Sequence, residues 1–493
     1  MFNNKNSPFV KGESREAEGD FVLKCAILRL TLRYQLITIL MNIDPSIFKS
    51  YDIRAVYPDQ ADEKLAEAIG RGFAKYLNFP SKVIVARDGR ISGEAMKNAL
   101  ITGLTKVGVS VIDIDMASTD MFYYACQTRD LPGISVTASH NPKEYTGFKM
   151  VKKIPELLSG DAGIKEIKEW ILADDLPVDS ATLGQVEKIN VINEFVDYAL
   201  SLVNVSSFKH FKVIADPANG MVGPILEILK TKLPTIDFVP MYWDVDGNFP
   251  NHGGDPLQEI NRVEIQKQVP LQGADLGVMF DPDGDRFFVI DSRGRFISGD
   301  FLTAILSRYF LQKYPGCSIV YDIRASKAVP DTVIANGGTP LANRVGHTHI
   351  KARMKAENAY FGGEISGHYY YKEFFLCDTG TVSLVYLLDF LSNSEKSLET
   401  LVDELMSKYF ISGEINNKVA DVPKVLAEIE STYGPKVLSP IERMDGLTFE
   451  LGDWRFNLRS SNTEPLLRLN LEATSQELME QKRDEVLAII TKP

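Results

Sequence analysis

One segment of the chain places a serine where a substrate could reach it. In VTASHNPKEYTGFKM, Ser139 lies among small residues on a polar turn after the apolar run LPGISV, with His140 beside it and Lys149 ten residues on. A serine hydroxyl is a weak nucleophile at its free pKa, so it needs a neighbouring base or metal ion. A β-turn punctuated by Asn141 and Pro142 explains the segment equally simply. The pattern is not GxSxG, so nothing supports an α/β-hydrolase.

Three aspartates stand at alternate positions between two apolar runs in GVMFDPDGDRFFVI. Asp281, Asp283 and Asp285 would repel one another, and a divalent cation stabilises such a group. Hard carboxylate oxygens favour Mg²⁺. An EF-hand would need glycine and glutamate where Arg286 and Ser292 stand, so that interpretation fails, whereas a solvated acidic hairpin stays open. Arg286 could also steer a phosphate group.

A third loop, in YFGGEISGHYYY, alternates a carboxylate, a hydroxyl and an imidazole. In an extended chain, Glu364, Ser366 and His368 would share one face. These three groups together suit the hydroxyls of a sugar. A half-buried polar strand is the alternative interpretation of the same pattern.

A fourth loop, NLRSSNTEPLLRL, gathers donors for an anion. Arg459, Ser461, Asn462 and Thr463 offer a guanidinium, hydroxyls, an amide and backbone N–H groups within one turn. This composition predicts a phosphate cradle that lacks the P-loop pattern. A serine- and threonine-rich turn ended by Pro465 is the alternative.

Strand-like runs and helical patterns alternate along most of the chain, and these elements must position the loops. Three strand-like runs end near Asp88, Asp216 and Asp322, and each precedes a helix-like segment, which indicates a weak internal repeat. The repeat predicts three related α/β domains with mixed, mainly parallel sheets. The C-terminal part predicts a helix, three strands and a final helix, which together indicate a small α+β domain.

The chain is too long for one hydrophobic core, because 493 residues exceed what a single domain usually holds. The predicted domains are 41–187, 188–295, 296–406 and 407–493, and each contains one of the four loops. Sites in α/β folds gather at the carboxyl ends of strands and at domain interfaces, so we expect the loops to face a central cleft. Together they would make a phosphosugar enzyme with a phosphoryl-carrying serine.

Overall charge and cysteine usage limit the classes of partner. The chain has 54 basic and 66 acidic residues, a formal net charge of −12, which argues against nucleic acid or an anionic membrane surface. Its four cysteines form no CxxC pair and predict reduced thiols in a cytoplasmic protein. A small-molecule ligand is therefore the expected partner.

Residues 1–40 are predicted to be an extension, disordered or outside the natural start, with no part in the chemistry. Lys24, Arg29 and Arg33 interrupt their apolar segment and argue against a membrane-spanning helix. No small-residue cleavage site follows, as a signal peptide would require. Met41 opens the first segment that predicts a folded domain.

From Met41 onward the chain resembles the α-D-phosphohexomutase family. TASHNP resembles the family's phosphoserine loop, DPDGDR its metal loop, GEISGH its sugar-recognition loop and RSSNTEP its phosphate loop. SYDIRA and GFKM match further family positions. Four motifs in the family's order over most of the chain make the resemblance specific.

The resemblance implies four domains around one cleft and a phosphoserine at Ser139. Mg²⁺ would be held by Asp281, Asp283, Asp285 and a phosphoserine oxygen. The phosphoryl group would pass to a hexose 1- or 6-phosphate, giving a hexose 1,6-bisphosphate. This intermediate would reorient in the cleft and return its other phosphate to Ser139, which suits catalysis by positioning and charge neutralisation.

The resemblance also assigns the remaining roles. Arg54, Lys149 and Arg286 would surround the transferring phosphoryl group, and Lys149 or His347 would carry a proton. The residues expected to bind substrate are Tyr51, Arg324, Glu364, Ser366, His368, Arg459, Ser461, Asn462 and Thr463. The protein would act as a monomer or weak dimer on a small phosphosugar.

The subgroup and the reaction leave alternatives open. The SNT of the fourth loop favours the phosphomannomutase/phosphoglucomutase group over phosphoglucosamine mutases, which usually carry SGT there. Ala55 stands where the family usually has glycine, and Arg324 where many members have lysine. A phosphosugar phosphatase, in which water takes the phosphoryl group, and a non-catalytic sugar-phosphate sensor are the interpretations from other classes.

Overall fold

The computed structural model describes residues 43–160, 162–460 and 466–492. The predicted extension, residues 1–40, lies outside the described residues, as do Ser461, Asn462 and Thr463 of the fourth loop. No helix of the described part of the chain is long and apolar enough to cross a membrane.

The first sheet has seven strands and is flanked by helices. Its elements in chain order are β1 (Ile53–Val56), α1 (Glu63–Tyr76), β2 (Lys82–Arg87), α2 (Gly93–Lys106), β3 (Ser110–Met116), α3 (Thr119–Arg129), β4 (Gly133–Val136), β5 (Tyr145–Lys153), β6 (Glu156–Leu157), α4 (Ile164–Leu172) and β7 (Val186–Lys188). The strand order is β1-β5-β4-β2-β3-β7, and β6 pairs with β5. Strands β4, β2, β3 and β7 run parallel, whereas β5 is antiparallel to β4.

The second sheet has five strands. Its elements are α5 (Ile192–Ser201), β8 (Phe211–Asp216), α6 (Gly223–Lys232), β9 (Ile236–Pro240), α7 (Glu259–Leu271), β10 (Leu276–Phe280), β11 (Phe287–Asp291) and β12 (Phe296–Ile297). The order is β12-β11-β10-β8-β9. Every residue of β10 and β11 is buried, as expected for strands covered on both faces.

The third sheet repeats this plan. Its elements are α8 (Gly299–Lys313), β13 (Ser318–Asp322), α9 (Ala328–Ala335), β14 (Thr339–Asn343), α10 (His347–Glu357), β15 (Phe361–Gly363), β16 (Tyr369–Tyr371), β17 (Cys377–Asp378), α11 (Gly380–Asn393) and α12 (Leu398–Met406). The order is β14-β13-β15-β16-β17.

A common four-strand unit recurs in these three sheets, as β3-β2-β4-β5, β9-β8-β10-β11 and β14-β13-β15-β16. In each unit the first three strands are parallel and the last is antiparallel. An aspartate lies at the end of the second strand of each unit, β2, β8 or β13, and forms the same hydrogen bond in all three. Asp88, Asp216 and Asp322 each accept the backbone N–H two residues on, at 3.0, 2.9 and 2.9 Å. The predicted three related α/β domains with mixed sheets are confirmed.

The fourth sheet is antiparallel, with the order β18-β21-β20-β19. Its domain contains β18 (Phe410–Lys418), α13 (Val422–Tyr433), β19 (Leu447–Glu450), β20 (Trp454–Ser460), β21 (Leu466–Ala473) and α14 (Gln476–Ile490). One face of this sheet packs with α13 and α14 around a separate apolar core. The predicted C-terminal α+β domain is therefore confirmed.

Candidate active site

The first three loops occupy the same topological position. Each joins the third strand of the four-strand unit to its antiparallel neighbour: Ser139 follows β4, the three aspartates follow β10, and Glu364 to His368 link β15 to β16. Because carboxyl ends of parallel strands meet at one sheet edge, the repeat brings each loop to the same edge of its own sheet.

These loops meet at one cleft with a volume of about 290 Å³. Its walls include most of the described residues predicted to act in the site, namely Tyr51, Arg54, Ser139, Lys149, Asp285, Arg286, Arg324, His347, Glu364, Ser366, His368 and Arg459. Asp281 and Asp283 lie directly behind this wall and contact Ser139 and Lys149, respectively. The remaining predicted residues, Ser461, Asn462 and Thr463, lie outside the described residues.

Ser139 is held in a constrained turn against the aspartates. Its φ is +47°, in the left-handed region that non-glycine residues seldom adopt. The Ser139 N–H donates to Thr137 Oγ1 at 2.9 Å, and its Oγ donates to Asp281 Oδ2 at 2.8 Å. His140 Nδ1 lies 3.3 Å from the same Oγ. The hydroxyl therefore points at the acidic group.

Arg90 fixes this turn, and the sequence interpretation did not single it out. Its guanidinium donates to the carbonyls of Ser139 and Asn141 at 2.7 Å each, and to that of Pro142 at 2.7 Å. Its Nε lies 3.1 Å from Asp88 Oδ2. Arg90 lies two residues after the strand-end aspartate of the repeat, and this position could have singled it out. Its partners could not be inferred, because they lie some fifty positions further along the chain.

The three aspartates fit a divalent cation. Ligand oxygens of Asp281, Asp283 and Asp285 lie within 4.8 Å of one another, and all three side chains are buried. One oxygen each of Asp283 and Asp285 is buried without a hydrogen-bond partner. Convergent carboxylate oxygens with free lone pairs are the donor set that Mg²⁺ takes. All three side chains of this group are carboxylates, and none offers the nitrogen or sulfur ligand that a softer metal ion prefers, so the group favours a hard cation.

Lys149 neutralises part of this charge. Its ammonium donates to Asp283 Oδ2 at 2.8 Å and also pairs with Asp285. Burial opposes the charged lysine, but the two carboxylates outweigh it and raise the pKa of Lys149. Burial and the neighbouring aspartates raise the pKa of Asp281. For Asp285, Lys149 and His368 overcome burial and hold the pKa well below its usual range.

Two threonines of the first domain also hold Asp283. Thr119 Oγ1 donates to Asp283 Oδ2 at 2.7 Å, and Thr137 Oγ1 donates to the same oxygen at 3.1 Å. The Thr119 N–H also donates to the Asp283 carbonyl at 2.7 Å. The acidic group is thus anchored across the boundary between the first two sheets, which no sequence motif indicated.

Two arginines complete the cationic rim of this end. Arg54 donates through Nε to Asp52 Oδ2 at 2.8 Å and through a terminal nitrogen to Asn141 Oδ1 at 3.0 Å. Arg286 Nε is buried without a hydrogen-bond partner, 3.7 Å from Asp281 Oδ2. Their donors therefore lie near both the nucleophile loop and the acidic group. Ala55, which follows Arg54, lies within β1 and pairs with Thr146 of β5.

The third loop is a turn and not the extended segment expected from its alternating residues. The Gly367 N–H donates to the Glu364 carbonyl at 3.1 Å. Both Glu364 oxygens are already bonded, Oε1 by the Tyr370 hydroxyl and Oε2 by the Gly346 N–H at 3.0 Å. His368 forms a β-bridge with Arg286, which ties this loop to the metal loop.

Two histidines border the cleft from the third domain. Burial, with the charge of Lys351 adding to it, lowers the pKa of His347 well below its ordinary value, and its Nδ1 is buried without a partner. His368 Nδ1 lies 3.0 Å from Ser366 Oγ, and its Nε2 lies 3.6 Å from Asp285 Oδ1. His368, expected to bind sugar, also lies against the acidic group.

The far end of the cleft is made by the third and fourth domains. Arg324 pairs with Asp322 in its own domain and donates to Glu414 Oε2 at 2.8 Å across the boundary. Arg459 lies on β20, with a guanidinium nitrogen 4.0 Å from Asp445 Oδ1. The Tyr51 hydroxyl donates to the Val345 carbonyl at 3.4 Å and brings the first domain to the same place.

This arrangement suits transfer of a phosphoryl group. One part of the cleft presents a hydroxyl directed at the carboxylates and rimmed by cations, and the part made by the third and fourth domains presents guanidiniums. Positioned cations and a divalent metal ion are what phosphoryl transfer requires, since the protein has little covalent chemistry to perform.

Four family models match the chain. They are described as Phosphoglucomutase/phosphomannomutase alpha/beta/alpha domain I, domain II, domain III and C-terminal domain, and they match residues 45–176, 193–294, 298–409 and 414–489.

Curated relatives and solved structures agree with these models. A phosphomannomutase of Salmonella montevideo is 36% identical over 450 residues, covering 90% of this chain and 98% of the relative. A protein of Xanthomonas campestris called phosphohexose mutases is 38% identical over 444 residues, 89% of this chain and 98% of the relative. The crystal structure of a phosphoglucomutase/phosphomannomutase family protein from Burkholderia thailandensis has a TM-score of 0.82 and 30% identity, covering 91% of this chain and 98% of its own.

Proposed function

Since the chain belongs to the phosphoglucomutase/phosphomannomutase family and is a phosphohexomutase, we propose that it acts on mannose and glucose phosphates with Ser139 as its phosphoryl carrier. The observation that carries the proposal is the Ser139 Oγ directed at Asp281 in a cleft whose far end presents Arg324 and Arg459. A nucleophile at one end and anion donors at the other match a substrate with a phosphate and a free hydroxyl.

Asp281, Asp283 and Asp285 would hold Mg²⁺ together with an oxygen of phosphorylated Ser139. When bound there, Mg²⁺ supplies positive charge that stabilises the transferring phosphoryl group. Lys149, kept as an ammonium by its two carboxylates, supplies a further fixed charge on the same side.

The proposed reaction runs in two transfers. In the first, the P–O bond to Ser139 Oγ breaks and a bond forms to the free hydroxyl of the hexose phosphate, which loses its proton. The resulting hexose 1,6-bisphosphate turns over in the cleft. In the second transfer its other phosphate returns to Ser139, and the released hydroxyl regains a proton. Arg54 and Arg286 orient the phosphoryl group in both transfers.

The proton carrier is assigned to the histidines and not to Lys149. A base must be unprotonated near neutral pH, and the raised pKa of Lys149 keeps it charged. His347 borders the cleft and its Nδ1 is buried without a hydrogen-bond partner, so this nitrogen is free to take part in proton transfer. His368 is the second candidate because it lies beside Asp285.

A coupled assay tests the proposal. Wild type and Ser139→Ala would be given mannose 1-phosphate, glucose 1-phosphate or glucosamine 1-phosphate, with Mg²⁺ and a trace of hexose 1,6-bisphosphate. We expect conversion of the first two sugars, little of the third, and a loss of about 10⁴-fold or more in the variant because its nucleophile is gone.

Other outcomes would redirect the assignment. Preference for the glucosamine substrate would make the enzyme a phosphoglucosamine mutase, and phosphate release without isomerisation would make it a phosphatase. The cytoplasmic location and the monomeric or weakly dimeric state stay predictions. The described cysteines, Cys126, Cys317 and Cys377, are free thiols, as a reducing compartment would keep them.

A further inference from the structure

Helix α7 of the second domain is apolar on two opposite sides. Asn261, Ile265 and Val269 are buried on one side and hold the helix against the second sheet. On the side turned away from the sheet, Ile260 and Leu271 are 75% and 70% exposed. The outward side of a surface helix is normally polar, because apolar groups there stay in contact with water. The outward side of α7 therefore needs an explanation.

The exposed apolar side chains are clustered at this helix. Val263 is exposed on the same side, and Leu257 is exposed just before the helix begins. Every other helix in the described part of the chain exposes at most one large apolar side chain. Single exposed apolar residues are ordinary on protein surfaces, whereas a contiguous group of them marks an interaction surface.

One stripe of this side is complementary to its own reverse. Ile260, Glu264, Lys267 and Leu271 are spaced by four, three and four residues, so they follow one line along the helix. Their order is apolar, acidic, basic, apolar. If a second copy of α7 lies antiparallel against the first, each Ile260 meets the Leu271 of the other copy, and each Glu264 meets the other Lys267.

The two charged residues of the stripe are available for such a contact. Lys267 is exposed, and Glu264 is half-buried. Glu264 Oε1 accepts a hydrogen bond from Gln268 Nε2 at 2.7 Å, and a carboxylate can accept several bonds. A parallel arrangement would place like charges against each other. The antiparallel one pairs opposite charges and also opposes the two helix dipoles.

We propose that α7 is the contact surface of a weak, two-fold symmetric dimer of this chain. A two-fold contact uses the same surface of both copies, which is what the self-complementary stripe provides. Because one helix per copy makes a small interface, we expect a Kd on the order of 10–100 µM. No residue of α7 borders the cleft, so each copy keeps its own complete site.

A charge exchange in the full-length protein tests the proposal. Sedimentation equilibrium from about 1 to 200 µM would measure the Kd of the dimer. Lys267→Glu and Glu264→Lys should each raise the Kd about tenfold or more, because each places like charges opposite one another. The double variant restores both pairs with reversed signs. Its Kd should return to within about threefold of the wild type.

Two further variants separate the apolar and charged parts of the contact. Ile260→Ser should raise the Kd about tenfold, since it removes an apolar contact at both ends of the stripe. Lys424→Glu is the matched control, because it makes the same charge change at an exposed position of α13. Its Kd should equal that of the wild type. Added salt should weaken the wild-type dimer by screening its ion pairs.

Several outcomes would overturn the proposal. A wild type that is monomeric at about 200 µM would leave this face to a partner of another kind. A dimer with an unchanged Kd in both Lys267→Glu and Ile260→Ser would form through another surface. Failure of the double variant to recover, with each variant folded by thermal unfolding, would contradict the antiparallel pairing.

The inference is independent of the proposed function. Isomerase activity per chain should be the same for the wild type and Lys267→Glu, because α7 lies outside the cleft. A dimer without isomerase activity would contradict only the function. An active enzyme that never associates would contradict only the dimer.

Discussion

The two ends of the cleft are built in different ways. At the reacting end, Ser139 and Asp281 are 2% and 0% exposed, and short hydrogen bonds join residues of the first two domains. At the phosphate end, the side chains of Arg459 and Arg468 are 15% and 28% exposed, and the Arg324–Glu414 ion pair joins the third and fourth domains.

This difference follows from what each end must do. Phosphoryl transfer loses rate when the reacting atoms are displaced by even about an ångström, so the nucleophile and its charges are buried and fixed. An intermediate that turns over presents first one phosphate and then the other to the far end. Long guanidinium side chains with spare donors can adapt to both. Changes at the reacting end should therefore reduce kcat, and changes at the phosphate end should raise KM.

The largest effect is expected from Asp283→Asn. The change removes the negative charge of a carboxylate that accepts hydrogen bonds from Thr119, Thr137 and Lys149. It would also weaken the proposed cation site. We expect kcat to fall about 10²–10³-fold and the Mg²⁺ concentration for half-maximal activity to rise. Asp237→Asn, an exposed position on β9, is the matched control and should have no effect. A kcat within tenfold of the wild type would show that this end tolerates change.

A smaller effect is expected from Arg324→Lys. Arginine here joins Asp322 and Glu414 through a fork that an ammonium cannot reproduce, although it keeps the charge near the phosphate. Steady-state kinetics should show KM raised about threefold to tenfold and kcat within twofold. A large fall in kcat would place Arg324 with the reacting residues and remove the distinction between the two ends.

The smallest effect is expected from Asp120→Asn, which changes stability and not the reacting groups. Asp120 is buried, pairs with Ser118, and accepts from Thr379 Oγ1 of the third domain at 2.8 Å. Burial raises its pKa from 3.8 to about 6. The folded protein therefore binds the proton more tightly than the unfolded chain. The resulting stabilisation is complete below about pH 4 and is lost as pH rises to about 6, a change on the order of 3 kcal/mol.

Thermal unfolding from pH 4 to pH 7 tests this expectation. The asparagine variant cannot titrate, so its Tm relative to the wild type should rise across this window and then become constant. A difference between the two proteins that does not vary with pH would mean that Asp120 titrates at its ordinary value. The contact between the first and third domains would then depend on its hydrogen bonds alone.

Much of the site was predictable because its chemistry is local. The serine loop, the three aspartates and the glutamate-serine-histidine loop are each short, and each follows a strand whose apolar pattern is visible in the chain. The repeat that ends in Asp88, Asp216 and Asp322 predicted three related domains, and the same hydrogen bond recurs at all three.

Residues whose partners are distant in sequence were missed. Arg90 holds the serine turn from some fifty positions away, Thr119 anchors Asp283 from the preceding domain, and Arg468 reaches the cleft beside Arg459. Arg90 follows the end of a strand, Thr119 begins a helix, and Arg468 lies in a strand of alternating pattern. None of these positions is unusual in the sequence. Their importance comes only from which residues the fold places next to them.

The sequence by itself determined the order of the loops, the side-chain types they carry to the cleft and the plan of the domains, because side-chain type and strand pattern are short-range properties. Only the tertiary structure decided the charge state and freedom of these groups. It keeps Lys149 as an ammonium between two carboxylates and His347 as a neutral imidazole. Both oxygens of Glu364 already accept hydrogen bonds from the protein. Burial and charge act through space, so a pKa or a free donor depends on neighbours that the chain brings together from four domains.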